Sequence, residues 1–239
     1  MSSKNHSSIS PPAKNKIAIF DIDGTIFRKN LQFELLDGLA YAGIFSRDVR
    51  KNIVQYYRDW LNNRGAYETY RRNLVQLYNE ELKGKNKADV IKSAKRVAAF
   101  HHGRLFIFAR RIIRRLRKTH RLLAISGSPI EIVREFNAYL KFDDVFGTIY
   151  EIDADKKYTG REIYTPVRDK ADALKRYVAE KGISLHHSFG IGDTESDASV
   201  LELVENPIAF NPNLNLFRIA QKNNWKIVVE RKDVIYEIN

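Results

Sequence analysis

The chain has 239 residues, of which 44% are hydrophobic and 29% are charged, a composition typical of a soluble globular protein. No apolar run approaches the roughly 20 residues that span a bilayer, and the N-terminus lacks the apolar centre of a signal peptide, so we expect a cytoplasmic protein. Cysteine is absent, which excludes disulfides, thiolate metal sites and a cysteine nucleophile. The net charge of +12 favours anionic partners, whether phosphorylated metabolites, nucleic acid or an acidic membrane surface.

Residues 1–15 are rich in Ser, Asn and Lys and contain a proline pair, which predicts a disordered leader. The first strand follows at 17–20 and runs directly into Asp21-Ile22-Asp23-Gly24-Thr25. A single aspartate at a strand end would be a turn former. Two carboxylates there repel each other and are costly to desolvate, so they imply a bound cation or a shared proton. This stretch therefore predicts a functional site.

Residues 31–102 contain no strand-like run, and their apolar residues recur at helical spacing. The three clearest apolar faces comprise Leu35, Leu36, Leu39 and Ala40; Ile53, Tyr56, Tyr57 and Trp60; and Tyr70, Leu74, Leu77 and Tyr78. We expect several short helices that form a separate helical module, inserted after the first strand.

A further helix is predicted over 105–118, with arginines mostly on one side of it. Those arginines could bind the phosphates of a nucleic acid. The simpler interpretation is the solvated outer face of an amphipathic helix. The sequence alone favours this second interpretation, because it contains no aromatic stacking platform beside the arginines.

The second core strand, at 121–125, ends in Ser126-Gly127-Ser128-Pro129 before a helix predicted over 130–140. Ser126 offers a hydroxyl group and Gly127 an unobstructed backbone amide, while the helix dipole favours an anion at this end. The turn is a candidate phosphate cradle, although such sequences are also common connecting turns. Its position after the second strand is what favours a functional interpretation.

A third strand is predicted over 145–152, followed by a hairpin or flap that returns through 163–164. The next helix, 169–181, carries Lys170 in its first turn. A cation is unfavourable at that end of a helix, which indicates another role for Lys170. The alternative is one more exposed lysine in a basic chain.

The fourth strand, 187–191, leads into Gly192-Asp193-Thr194-Glu195-Ser196-Asp197, in which Asp193 and Asp197 can converge if the turn folds back. Strands at 208–210 and 226–229 flank a helix predicted over 214–222. Alternating strands and helices predict an α/β fold with a doubly wound parallel sheet, whose ligand crevice lies at the carboxyl ends of the strands. All the candidate residues lie at those ends. Aspartates without cysteine or clustered histidine favour Mg²⁺.

The aspartate pair, the Ser-Gly-Ser-Pro turn, Lys170 and the second acidic pair resemble, in order, the four motifs of the haloacid dehalogenase superfamily, which consists largely of magnesium-dependent phosphatases. This resemblance implies a Rossmann-like catalytic core at 16–30 and 103–239. It also implies an inserted all-helical cap domain at 31–102, over the active site.

By this resemblance Asp21 is the nucleophile and forms an aspartyl-phosphate. Asp23 protonates the leaving group and then activates water, while Ser126, Gly127 and Lys170 bind the phosphate. A carboxylate can attack phosphorus, and a neighbouring carboxyl group can then serve as acid and base.

The resemblance also implies the ligands of Mg²⁺. They are Asp21, the backbone carbonyl of Asp23, and Asp193. Asp197 either supports the metal shell or orients Lys170. The expected substrate is a small phosphorylated metabolite, and a nucleic acid is a less favoured partner. The sequence makes no prediction of oligomeric state.

The helical cap and the Ser-Gly-Ser-Pro turn are similar to the phosphoserine-phosphatase-like branch, with two departures. Asn30 falls close to the position of the glutamate that binds the substrate amine in that branch, and Leu74 falls at the position of the cap arginine that binds the carboxylate. Arg71 and Arg72 lie nearby and are candidate cap contacts. We therefore expect a small phosphomonoester other than phosphoserine. The alternatives are phosphoserine phosphatase proper and a non-enzymatic anion- or nucleic-acid-binding protein.

Overall fold

The computed structural model describes residues 14–238, which form an α/β fold. The strands are β1 Lys16–Phe20, β2 His120–Pro129, β3 Asp144–Ile152, β4 Tyr158–Tyr164, β5 Phe189–Gly192, β6 Asn206–Phe210, β7 Lys226–Arg231 and β8 Val234–Ile238. The helices are α1 Leu31–Tyr41, α2 Asp48–Leu61, α3 Tyr67–Leu82, α4 Lys87–His101, α5 Ile107–Leu116, α6 Ile130–Leu140, α7 Lys170–Lys181, α8 Ala198–Leu201 and α9 Leu214–Lys222.

Within the described residues the strands form one sheet in the order β4-β3-β2-β1-β5-β6-β7-β8. In this order, every pair of neighbouring strands between β3 and β7 is parallel, and β4 and β8 are added at the two edges as antiparallel strands. The buried strand β1 lies at the centre, with Ile19 opposite Leu123 of β2 and Gly190 of β5. The predicted doubly wound parallel sheet is confirmed. The carboxyl ends of β1, β2 and β5 therefore meet at one edge.

The expected helical cap is also confirmed, since α1 to α4 all lie between β1 and the next core helix. The helices α1 and α4 pack on the core, because both contact α6, and they also contact each other. Gly38 allows this close approach, because a Cβ atom there would overlap the side chain of Val97. The helix α3 packs instead on β4. The insertion shares one continuous hydrophobic cluster with the sheet, to which α1, α3 and α4 each contribute several buried residues and α2 contributes Val49.

Residues 1–13 of the predicted leader lie outside the described residues. The two leader residues that are described contact the core. Lys14 Nζ donates to the backbone carbonyl of Arg117 at 2.7 Å, and the carbonyl of Asn15 accepts from Ser184 N at 3.3 Å. No helix in the described part of the chain has the length and apolarity needed to cross a bilayer.

Candidate active site

The end of β1 delivers Asp21 and Asp23 to the edge of the sheet. Asp21 N donates to the carbonyl of Ile191 on β5 at 2.9 Å, which keeps Asp21 in line with the sheet. The chain then turns sharply at Gly24, whose φ is +84°. A side chain at Gly24 would be strained by that φ, and its Cβ would overlap the carboxylate of Asp193. Glycine is therefore required for the ends of β1 and β5 to approach each other.

Lys170 is buried between two carboxylates. As the first residue of α7 it places Nζ 2.7 Å from Asp21 Oδ1 and 2.6 Å from Asp197 Oδ1. Lys170 is 3% exposed, Asp21 8% and Asp197 4%. Burial opposes the charge of Lys170, but Asp197 and Asp21 raise its pKa, so the ammonium stays protonated. Burial raises the pKa of Asp21 to about 8, against the opposing effect of Lys170.

The carboxylate of Asp23 accepts three hydrogen bonds. Leu31 N donates to Oδ1 at 2.6 Å, and the hydroxyls of Ser126 and Ser128 donate to Oδ2 at 2.7 and 2.8 Å. Burial raises the pKa of Asp23, and these donors partly offset that rise because they favour the carboxylate form. The result is a fixed carboxyl group that holds a proton more readily than an exposed aspartate does.

Ser128 is a site residue that the sequence analysis did not select. It lies two residues after Ser126, so in extended chain both side chains point to the same face. That spacing is the signal that could have identified it. Gly127 lies between them, and a Cβ there would come within 2.9 Å of Val167. Because Gly127 has no side chain, the segment that carries Val167 can pack closely against the end of β2.

The two later aspartates have different surroundings. Asp193 Oδ1 accepts a hydrogen bond from Thr25 Oγ1 at 3.3 Å, and burial together with the charge of Asp21 raises the pKa of Asp193 well above its usual range. Asp197 Oδ2 accepts from the backbone amides of Asp193 and Thr194, both at 3.1 Å, while Oδ1 binds Lys170. Both oxygens of Asp197 are therefore engaged. These contacts favour the role of orienting Lys170 over that of ligating a metal.

Tyr67 and Arg71 lie at the start of α3. Burial and the charge of Asp193 raise the pKa of Tyr67 to about 12. One turn later Arg71 pairs with Glu68 at 2.6 Å, and the charge of Glu195 adds to the rise in the pKa of Arg71. Arg71 is therefore the predicted cap arginine that interacts with described acidic residues. Arg72 is exposed and makes no ion pair with another described residue.

Comparison with known proteins identifies the family. Residues 18–202 match the family described as haloacid dehalogenase-like hydrolase. The chain belongs to this family. The hydrolase is 25% identical over 235 residues to a histidinol-phosphatase from Neisseria meningitidis, across 89% of this chain and 97% of that protein.

Two solved structures share the fold of this hydrolase. A protein of unknown function from Bordetella pertussis has a TM-score of 0.71 at 20% identity, covering 90% of this chain and 98% of its own. A phospho-aspartyl intermediate analogue of phosphoserine phosphatase has a TM-score of 0.60 at 22% identity, covering 92% and 96%. The hydrolase is a phosphomonoesterase of the phosphoserine-phosphatase-like branch, as the resemblance of its motifs implied.

Phosphatases of this family generally use Mg²⁺, and the residues of this hydrolase fit that ion. Asp21 and Asp193 offer oxygen donors whose pKa values burial raises, and the charge of Asp21 adds to the rise at Asp193, so a cation between them would relieve that repulsion. The side chain of Asp23 is already held by three donors, so its backbone carbonyl is the oxygen left to bind a metal.

One other group of potential metal ligands occurs in the described residues. His186, His187 and Glu205 place three ligand atoms within 4.8 Å of one another. All three are exposed, and the histidines precede β5, at the end of that strand opposite to Asp193. This surface group is separate from the aspartates.

Proposed function

We propose that the protein hydrolyses a small phosphomonoester other than phosphoserine, with Asp21 as the nucleophile and Mg²⁺ as the cofactor. The observation that carries the proposal is the fixed geometry of Asp21. Its Oδ1 is held by the buried ammonium of Lys170 at 2.7 Å, which leaves Oδ2 without a hydrogen-bond partner among the described residues. A carboxylate oxygen held in this way can attack phosphorus in line with the leaving group.

In the first step an oxygen of Asp21 forms a bond to phosphorus, and the bond from phosphorus to the alcohol oxygen breaks. Asp23, protonated before this step, gives its proton to the departing oxygen. The burial that raises the pKa of Asp23 favours this protonated starting form. The products of the step are the free alcohol and an aspartyl-phosphate on Asp21.

In the second step Asp23, now a carboxylate, takes a proton from water as the water oxygen attacks phosphorus. The bond from Asp21 to phosphorus breaks, and inorganic phosphate leaves. Ser126 and Ser128 fix the orientation of Asp23 throughout. Lys170 and the helix N-terminus at 130 balance the charge on the phosphoryl oxygens.

Asp21, the Asp23 carbonyl and Asp193 would hold Mg²⁺, which supplies positive charge to the phosphoryl oxygens when it is bound. Among the described residues, Lys170 is the one cation paired with the carboxylates of Asp21 and Asp197. A dianionic phosphate therefore needs further positive charge in order to enter. This requirement supports the assignment of a metal to the site.

The substrate part of the proposal rests on two positions, one just before the cap and one within it. Asn30 Oδ1 accepts from Phe33 N at 3.2 Å and so caps α1. Leu74 is fully buried in the hydrophobic cluster. Neither side chain carries the charge that would pair with the amine or the carboxylate of an amino acid, so we expect a phosphomonoester without that pair of groups.

The test is phosphate release from a panel of phosphomonoesters, measured with Mg²⁺ and with chelator. The panel includes phosphoserine and histidinol phosphate, because proteins similar to this chain carry those names. We expect Mg²⁺-dependent release that is lost in Asp21→Asn. The control Asp155→Asn makes the same chemical change in an exposed turn and should retain full activity.

Retained turnover in Asp21→Asn would contradict the nucleophile assignment. Equal release with and without chelator would contradict the metal. A preference for phosphoserine over every other compound would make the protein a phosphoserine phosphatase proper. Absence of release from the whole panel would contradict the proposed activity on small phosphomonoesters.

A further inference from the structure

A groove lies beside α5, away from the aspartates. The sheet continues past α5 through β7 and β8, and a cavity of about 460 Å³ lies between that helix and those strands. Its floor is apolar and consists of Phe108, Ile112, Ile208 and Ile235. The cavity extends to Lys226, the first residue of β7, and so toward the amino ends of the parallel strands. The groove takes no part in the proposed hydrolysis, whose residues lie at the carboxyl ends.

A second cavity of about 470 Å³ adjoins the first and is lined only by cations, namely Arg111, Arg114, Arg115 and Lys118. Arg111 and Arg115 line both cavities. All four side chains are exposed, and no acidic side chain of the described residues pairs with them. Like charges four residues apart on a helix repel each other, so an anion bound here would stabilise the helix.

The walls of the groove are fixed in place. At the start of α5, Ile107 N and Phe108 N donate to the carboxylate of Glu230 on β7 at 3.0 and 2.8 Å. Glu230 is buried and also accepts from Arg28 at 2.7 Å. The ring of Phe108 stacks on Phe210 of β6, with centroids 5.2 Å apart. The start of α5 and the apolar floor are therefore in place before a ligand arrives, which lowers the entropic cost of binding.

We propose that this groove binds a nucleoside polyphosphate, with the base in the apolar cavity and the phosphates on the arginines. The apolar cavity falls within the roughly 300–1,000 Å³ typical of small-molecule sites. A base is flat and apolar on its faces, as the floor requires, and arginine forks match phosphate oxygens.

The ion pair between Lys226 and Glu237 favours a base over purely apolar groups as the ligand of the first cavity. Lys226 Nζ lies 2.8 Å from Glu237 Oε2, and both residues line the first cavity. Together they offer a donor and an acceptor to the polar edge of a base, for which a lipid acyl chain has no matching groups. Phe108 is the aromatic residue of this lining, whereas single-stranded nucleic acids bind to series of stacking aromatics. The lining therefore favours a mononucleotide.

The experiment measures binding of the β,γ-imido analogue of ATP, which resists hydrolysis, to the full chain by calorimetry. We compare the wild type with Arg111→Glu/Arg115→Glu. The matched control is Arg218→Glu/Lys222→Glu, which also reverses two unpaired charges four residues apart, on α9 at the opposite face of the sheet. We expect the groove variant to bind at least about tenfold more weakly and the control to stay within about twofold.

Inorganic triphosphate and a single-stranded ten-nucleotide RNA are the comparison ligands. The nucleotide analogue should bind at least about tenfold more tightly than triphosphate, because the apolar cavity contributes. The nucleotide analogue should also not act as a competitive inhibitor of the hydrolysis of a small phosphomonoester. Equal binding of triphosphate, equal weakening in both variants, tighter binding of the RNA or competition at the active site would each overturn the proposal. Arg114→Gln/Lys118→Gln carries the same expectation if the first variant does not fold.

Discussion

Replacement of Lys170 by methionine tests the buried ion pairs that Lys170 forms with Asp21 and Asp197. Methionine keeps an unbranched side chain of similar length but removes the ammonium that lies 2.7 Å from Asp21 and 2.6 Å from Asp197. Both carboxylates would remain buried, since neither is more than 8% exposed. Asp197 would then be buried without its compensating cation, and Asp21, whose pKa is already raised, would hold a proton more readily.

The expected loss of stability can be estimated from the burial of the pair. Removing one partner of a buried ion pair costs about 3–5 kcal/mol, because the other charge is left uncompensated. Taking the lower value and an m-value of about 3 kcal/mol/M, the urea midpoint should fall by about 1 M with an unchanged slope. Turnover should fall by at least about 100-fold, because the group that fixes Asp21 and balances the phosphoryl charge is gone.

Urea unfolding in chelator is the assay, and Arg176→Met is the control. Arg176 forms an exposed pair with Asp172 at 2.8 Å, in the same helix as Lys170. Breaking an exposed pair of this kind costs about 0–1 kcal/mol. If Lys170→Met lowers stability no more than Arg176→Met does, the reasoning that assigns a structural and electrostatic role to the buried pair is wrong.

Three further predictions concern single residues. Gly24→Ala should cost about 1–3 kcal/mol in urea unfolding and weaken activation by Mg²⁺, because φ is +84° and the new Cβ would overlap Asp193. Ser128→Ala should raise the pKa of Asp23 and so move the pH profile of kcat toward higher pH, whereas Ser128→Thr should restore it. Burial lowers the pKa of His101, so stability should fall below about pH 6.5, where the unfolded imidazole takes up its proton first. His101→Gln should flatten that loss, as measured by unfolding at several pH values.

The fold could be predicted wherever a local signal and a long-range pattern agreed. The helices 130–140 and 214–222 have the bounds that the sequence indicated, because Pro129 and Asn213 mark their starts and apolar spacing continues to their ends. The strand β8 was missed. It is short, it follows β7 after two residues, and its side chains are mostly exposed, so no buried alternation marks it.

The contacts within the site were harder to predict, because they join distant parts of the chain. Lys170 and Asp21 are 149 residues apart, and Ser128 and Asp23 are 105 apart. A lysine at a helix start is commonly exposed, and only the proximity of α7 to the end of β1 gives Lys170 its partners. The position of Ser128 in the Ser-Gly-Ser-Pro turn was visible in the sequence, but its orientation toward Asp23 depends on the register between β1 and β2.

Asp193 and Asp197 show how identical residues acquire different chemistry. In sequence they are two carboxylates four residues apart, equally suited to a metal. In the structure Asp197 is fully engaged by Lys170 and two backbone amides, so its charge is neutralised locally. Asp193 has only the hydroxyl of Thr25 among the side chains of the described residues, and its pKa is raised. Asp21 and Asp193 are therefore the carboxyl groups that would take up a divalent cation, and their raised pKa values favour a proton at that place when no cation is bound. Binding of a metal there would be linked to loss of those protons, so the affinity for Mg²⁺ should rise with pH.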